Sequence, residues 1–455
     1  MVKRIFSMIL ASMLLIGTLT VVSASTTKNY ADDFESADQG VITVTASAGY
    51  TSDVWKMTAN QAFNACNGGG AFFDANNKPN AELEVTKLDG NSVMKFTSKK
   101  AGNVGVSTTA RSFSSNSCDT IFISFDFMIP DNGAKGDFYI SSRTTSSSTY
   151  VNLILVRGNG NYMYEVKKDG NLDGDSEDSF TFTRGAWYKA VLKATTASSH
   201  IIIYDANGVK KLDNENQEIA GPSSSAQLSL TTPGAANYTM YLDNSEIVIV
   251  NSTSNTVGID FERTTNNEVV SASTKSVDVT FDQPVDPNSV VTLTGGLAPI
   301  TCTATAVGAE TLRISWDATL LPETEYTLDC SAVKGWAGNK GAADTKITFT
   351  TGEAEKDVYA VNAGTVIPAG GTVSGPVNVW IKNYGATAIT PDIMVALYKS
   401  NGKELVGVEK FENQTINGDV SLNLEGSYSD VTSIKVIVLN DLSTLQPIAE
   451  NITIK

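Results

Sequence analysis

A single histidine, His200, serves 455 residues. Chemistry that runs on imidazole therefore has one group to draw on. His200 directly follows a turn and opens a strand with nothing beside it to orient it, so it reads as a surface residue. The chain has no G-x-S-x-G, no H-E-x-x-H and no phosphate-cradling glycine loop. Gly68-Gly69-Gly70 has no strand-to-helix setting and reads as a flexible loop. The four cysteines show no C-x-x-C or Cys/His spacing that would hold zinc. Beyond residue 24 no segment is long and apolar enough to cross a bilayer. Long Leu/Glu/Lys/Ala runs are missing, and no stretch shows convincing helical periodicity. Basic residues are few: 33 Lys and Arg stand against 49 Asp and Glu, a net charge of −16. So acidic a surface argues against nucleic acid and anionic membranes as partners.

What is present points to β-structure. Thr, Ser, Asn, Val and Gly recur throughout, and 41% of residues are hydrophobic, enough for real cores. The length suits three domains at roughly 150 residues each. Residues 1–24 carry Lys3 and Arg4, then a largely apolar run from Ile5 to Val22, then Val22-Ser23-Ala24 as a small-residue cleavage site. This is the pattern of a secretory signal peptide, and it predicts a secreted or cell-surface protein with no membrane span once the signal is removed. Export permits disulfides. Cys66 and Cys118 fall in one region and Cys302 and Cys330 in another, so pairing within each region is the simple expectation. Spacing alone leaves buried free thiols open.

Residues 25–250 form the largest unit. At its centre Arg184–Gly208 reads as a strand, a small polar turn and a second strand. Tyr188, Ala190, Leu192 and Ala194 share one face, and Lys189, Val191 and Lys193 the other, the period of a strand with one side on a core. Ile201–Tyr204 is the β-branched return strand, and Asp205-Ala206-Asn207-Gly208 supplies turn chemistry. Ile121, Ile123, Phe125, Phe127 and Ile129 likewise share a face, with Ser124 and Asp126 opposite. An opening Asp32-Asp33-Phe34-Glu35-Ser36, the central hairpin and a closing Tyr241–Ile249 together resemble the concanavalin A-like lectin/glucanase superfamily, as a LamG-like jelly roll. The resemblance implies two packed antiparallel sheets and a concave face that in many relatives holds a glycan.

After a polar linker at 251–258, residues 259–352 carry Val279-Thr280-Phe281 with Pro284-Val285-Asp286, then Leu321–Leu328, Val333–Asn339 and a closing Phe349-Thr350-Thr351. These blocks, in order, resemble the bacterial Ig-like domain of S-layer (SbsA) type, which implies a spacer without an active site. Trp336 stands where that pattern usually has an acidic residue, and it reads as packing. A second linker, 353–356, leads to residues 357–455. There Val377–Lys382, Ile393–Tyr398, Ser421–Leu424 and Ile434–Leu439 read as strands and Asn401-Gly402 as a hairpin turn. This unit resembles C-terminal β-sandwich modules of secreted polysaccharide-handling bacterial proteins. The expected fold class is all-β and multidomain: a concanavalin A-like jelly-roll β-sandwich followed by two Ig-like β-sandwiches.

A retaining glycosidase needs two carboxylates about 5–5.5 Å apart, which glucanases of this superfamily place as E-x-D-x-E on one strand face. Residues 25–250 hold no such triplet; Glu82-Leu83-Glu84 is the nearest approach and reads as an ordinary exposed strand. The Q-[IV]-H motif of lyases on this fold is absent. By position in the jelly roll, Glu35 and Asp243 correspond to acids that in many relatives bind one structural calcium ion. Asp169–Asp178 begins like an EF-hand loop but has Phe180 at its twelfth position, so a solvated acidic loop is expected there. Sugar binding rests on aromatic faces stacked on pyranose rings. Among Tyr50, Trp55, Phe72, Phe73, Tyr139, Tyr150, Tyr162 and Tyr164, the ligand-binding candidates are Tyr50, Trp55, Tyr139, Tyr150 and Tyr162. The functional expectation is a non-catalytic protein whose first sandwich binds an extracellular polysaccharide, with cell-wall or surface-layer components as further partners. A structural or adhesive surface protein without a sugar site, and a divergent polysaccharide lyase or glycosidase, are the alternatives.

Overall fold

The computed structural model of the chain describes residues 28–32, 34–35, 40–41, 50–51, 55–57, 81–99, 104–108, 111–131, 138–143, 150–156, 162–168, 171–173, 182–213, 224–232, 238–400 and 402–455. The expected signal peptide, Cys66, Phe72 and Phe73 lie outside these residues. So does most of the Asp169–Asp178 loop. The described chain is nearly all strand. A four-residue helix, Phe113–Asn116, is capped by the Ser112 hydroxyl.

Two nine-stranded sheets make the first unit. In the first sheet the order runs Lys210–Asp213, Ser199–Asp205, Trp187–Thr195, Thr120–Met128, Thr239–Val250, Asn91–Ser98, Ala81–Leu88 and Gly40–Val41, with Lys28–Asp32 also on Thr239–Val250. The second runs Asn171–Asp173, Tyr162–Lys168, Tyr150–Val156, Phe138–Arg143, Ser225–Thr232, Val104–Thr108, Trp55–Met57 and Tyr50–Thr51, with Arg111–Ser112 also on Ser225–Thr232. The expected hairpin forms, in register from Tyr188 opposite Asp205 to Ala194 opposite Ser199. It lies toward one edge of its sheet, however. The middle is taken by Thr120–Met128 and Thr239–Val250, which pair with each other and are largely buried on both faces. One core joins Ile121, Ile123, Phe125 and Phe127, the hairpin's Tyr188, Ala190, Leu192 and Ala194, and Ile140, Ala226 and Leu228 from the second sheet. Each side chain of this size contributes about 1.5–3 kcal/mol on leaving water.

The second unit packs a five-stranded sheet on a three-stranded one. Val279, Phe281, Leu312 and Ile314 of the smaller sheet meet Leu293, Tyr326, Leu328, Ile347 and Phe349 of the larger. Glu268–Val270 joins Lys346–Thr351 in parallel, while the other strand pairs of this unit are antiparallel. The third unit packs Val358–Asn362, Pro376–Asn383 and Gly418–Asn423 on Glu404–Phe411, Asp392–Lys399, Ser433–Leu439 and Ile452–Ile454. Its core runs from Val358 to Ile454.

The stretch 251–258 is polar in composition yet tied down at both ends. The Ser252 amide and hydroxyl donate to Asp119 of the first unit, at 2.9 and 2.6 Å. Gln283 Nε2 donates to the Thr256 carbonyl at 3.2 Å, and Val257 is fully buried in the second core. A linker of Asn, Ser and Thr is expected to be solvated. Here its hydroxyls and amides find protein partners instead, which satisfies the backbone of a segment held between two domains.

Candidate functional site

The outward face of the first sheet is closed over the hairpin and the two middle strands, while Glu82, Glu84 and Lys95 on the flanking strands stay about a third exposed. Phe122, Val191, Ile202, Tyr204, Val248 and Val250 point away from the first core, and all are buried. What covers them is the second domain: Trp336 and Ala309 over the hairpin, Trp336 and Ala337 over Phe122 and Val248. The rings of Phe122 and Trp336 meet edge-on, with centroids 6.4 Å apart and planes at 63°. The alternation in Trp187–Thr195 thus has a core on each side rather than one. Trp336 does pack, but against the neighbouring sandwich. An acidic residue at that position would face an apolar wall.

The turn at Gly208 belongs to the same contact. Gly208 has φ +73°, and a Cβ there would lie 1.9 Å from the Val307 carbonyl oxygen of the second domain. Glycine is needed for the turn and again for the approach of another backbone.

Charged groups fill the rest of this junction. Lys189 Nζ lies 4.0 Å from Asp126 Oδ1 and 3.7 Å from Glu310 Oε2, and Arg263 Nη1 is 3.7 Å from the same Glu310 oxygen. Glu310 is 5% exposed. Burial pushes the Glu246 carboxyl up to about 7, and the Glu310 charge adds to it, while Arg263 and Lys189 pull the other way. Burial likewise raises Asp126 against the pull of Lys189 and of the Asn244 amide. Burial disfavours the Lys189 ammonium too, but Glu310 and Asp126 outweigh it and its pKa rises.

The second sheet carries every aromatic ligand candidate. Tyr50 pairs with Met57, Trp55 with Thr108, Tyr139 with Leu155 and Thr231, Tyr150 with Arg143, and Tyr162 with Val156. Their strand positions are described; their side chains lie outside the described residues. Topology thus gathers onto one sheet residues spread over more than a hundred positions of sequence.

Several of the described carboxylates of the first domain are engaged structurally. Glu82 pairs with Lys99, and Glu84 Oε2 accepts from Lys95 Nζ at 3.1 Å. Glu35 Oε1 accepts from the Ser92 amide at 2.6 Å and Oε2 from Lys87 Nζ at 3.3 Å, which together hold its carboxyl below the usual range. Asp243 Oδ1 accepts from the Asn244 amide at 2.8 Å. Among the described residues no three Asp, Glu, His or Cys side chains converge as a metal site. Glu35 thus faces an ammonium and an amide at the surface, the surroundings of an ion pair. His200 sits opposite Lys193 across the hairpin and is half-buried rather than superficial.

The expected disulfides are not formed by the described cysteines. Cys302 and Cys330 are free thiols within the second core, and Cys118 is free as well. Burial, with the neighbouring Asp329 and Cys302, pushes Cys330 up to about 12; burial pushes Cys302 and Cys118 up to about 11. Thiols held protonated in apolar surroundings are poor nucleophiles for disulfide exchange.

Comparison with known proteins locates one domain. Residues 261–351 match the Big_5 family model, described as a bacterial Ig-like domain. No match was found among curated proteins. Solved structures similar to this chain include a protein of unknown function from Shewanella oneidensis MR-1, at 13% identity and TM-score 0.34, covering 52% of this chain and 93% of that one. A family GH16 endo-β-1,3(4)-glucanase follows at 12% identity and TM-score 0.31, covering 49% and 91%. The carbohydrate-binding module CBM66 from Bacillus subtilis aligns at 14% identity and TM-score 0.23, covering 37% and 94%.

Proposed function

We propose that the chain is an extracellular, non-catalytic carbohydrate-binding protein. The second sheet of the first sandwich recognises a polysaccharide, and the Ig-like domains carry it as spacers. One observation supports this most: the second domain covers the hairpin and the middle strands of the first sheet, so the second sheet is the remaining candidate surface, and on it Tyr139 holds a register position that alternates with the core residue Ile140, while Tyr50, Trp55 and Tyr162 hold positions in register with the core side. Aromatic side chains on a sheet suit the C–H faces of sugar rings, and a net charge of −16 suits neutral glycans better than polyanions. The pairing of Glu82 and Glu84 with lysines supports binding without bond cleavage. A structural or adhesive role without a sugar site is favoured by the hydrogen-bonded 251–258 segment, which suits a protein that transmits force.

A glycan array, with plant, algal and bacterial polysaccharides, separates the two. Retention of one polysaccharide class by the wild type, with Tyr139→Ala weakening it about tenfold, supports the binding reading. No retention on any of them favours the structural one. New reducing ends or unsaturated products on incubation with the same polysaccharides would establish an enzyme instead.

A further inference from the structure

The junction between the first and second domains holds more acid than base. Four carboxylates surround two cations: Asp126 and Glu246 from the first sheet, Glu310 and Asp260 from the second domain, with Lys189 and Arg263 between them. Fully ionised, the cluster carries four negative and two positive charges, a net −2. Glu246 stands opposite Ser124 on one side and Ala31 on the other, neither of which can neutralise it. Lys189 and Arg263 are both taken up by Glu310, and Arg263 also by Asp260. The apolar contacts of Trp336, Phe122, Val191, Tyr204 and Val248 lie beside the cluster and reduce its contact with water, most at Glu310, while Arg263 stays 44% exposed.

We propose that docking of the Ig-like domain onto the first sandwich is proton-linked: Glu246 takes up a proton when Glu310 is laid over it, and the junction loosens as the proton is lost. The physical cause is the loss of water around Glu246 on docking, to which the excess carboxylate adds. When the domains are apart, Glu246 is a solvated side chain on a sheet face. Docking removes its water and brings Glu310 and Asp260 beside it, with cations already committed to Glu310. A carboxyl whose pKa is raised on docking favours the docked state fully below its free value near 4.5, and loses that contribution as pH rises through about 7. Asp126 shifts in the same direction and reinforces it. Loosening would bare the apolar wall from Phe122 to Val250, so the device controls access to the first sheet's outward face. It is independent of what the second sheet binds.

The test uses the full chain between pH 5.5 and 9. Glu246→Gln replaces the carboxyl by a neutral group of similar shape, so it mimics the protonated state throughout. The melting temperature of wild type, relative to Glu246→Gln, is expected to fall by roughly 5 °C across this range. In parallel, hydroxyl-radical oxidation of Trp336, read by mass spectrometry, is expected to rise severalfold in wild type with a midpoint near pH 7 and to stay low in Glu246→Gln. Glu412→Gln, exposed in the third domain, is expected to follow wild type. A constant melting-temperature difference, or Trp336 oxidation that rises equally in wild type and Glu246→Gln, overturns the proposal. If Glu246→Gln does not fold, Glu310→Gln serves: it removes the opposing charge, releases Lys189 and Arg263, and is expected to move the same transition to lower pH. A transition unchanged in that variant also overturns it.

Discussion

Each of the two domain junctions centres on a glutamate, and the two glutamates have moved in opposite directions. Glu246, between the first and second domains, is pushed up to about 7 by burial and by Glu310. Glu450, between the second and third, is held at about 2 by the Lys356 ammonium and the Thr319 hydroxyl, with Lys275 adding to both. Thr319 Oγ1 donates to Glu450 Oε2 at 2.7 Å, and Lys275 Nζ lies 3.5 Å from the same oxygen. The first junction is apolar, roofed by Trp336, and short of cations. The second is polar, offers its acid two lysines, and opens beside a cleft of about 710 Å³ lined by Leu297, Pro299, Ile300, Val366 and Ile452. The same side chain thus marks two kinds of joint: one set by shape and desolvation, one set by exposed ion pairs.

That contrast can be broken at several points. The largest effect is expected from Gly208→Val. It drives a branched side chain into the Val307 carbonyl at a positive φ, and should cost about 2–4 kcal/mol with visible separation of the first two domains by small-angle X-ray scattering. Trp336→Ala comes next. It removes the half-buried ring from between the two sandwiches and is expected to cost about 2 kcal/mol in chemical denaturation, chiefly in the transition that reports the junction. Glu450→Gln should be mildest, about 0.5–1 kcal/mol once solvent screening is allowed for, and weaker still in high salt. Its pH window is opposite to that of Glu246. A lowered carboxyl stabilises fully above pH 4.5 and loses its contribution as pH falls toward 2, so wild type and Glu450→Gln should converge in acid. Convergence at alkaline pH instead would erase the difference between the two joints.

Much of the fold was legible beforehand. The Ile121–Ile129 and Tyr188–Ala194 alternations name the core face residue by residue, because strand geometry sends successive side chains to opposite sides. The Val279–Asp286 and Leu321–Leu328 blocks marked the Ig-like domain that the family comparison places at 261–351. The opposite face was misread, since a residue between two core positions looks alike whether water or another domain lies over it. Lys189 is the example: its charge suggested solvent, and it sits among Asp126, Glu310 and the apolar contacts of Trp336. The 251–258 linker shows the same limit: its polar composition is alike whether water or protein receives its hydrogen bonds, and here protein does. Cys302 and Cys330 were rightly placed in one domain, but shared membership of a core does not make a bond.

By itself the sequence determined the β class, the three cores and the inward face of each strand, because those follow from a two-residue period and from local turn chemistry. Only the tertiary structure decided which outward face stays open, that Trp336 and Gly208 are junction residues, and that Glu246 and Glu450 part company. A carboxyl's proton affinity depends on water and charge brought by chain segments far away in sequence, and no local pattern carries that information.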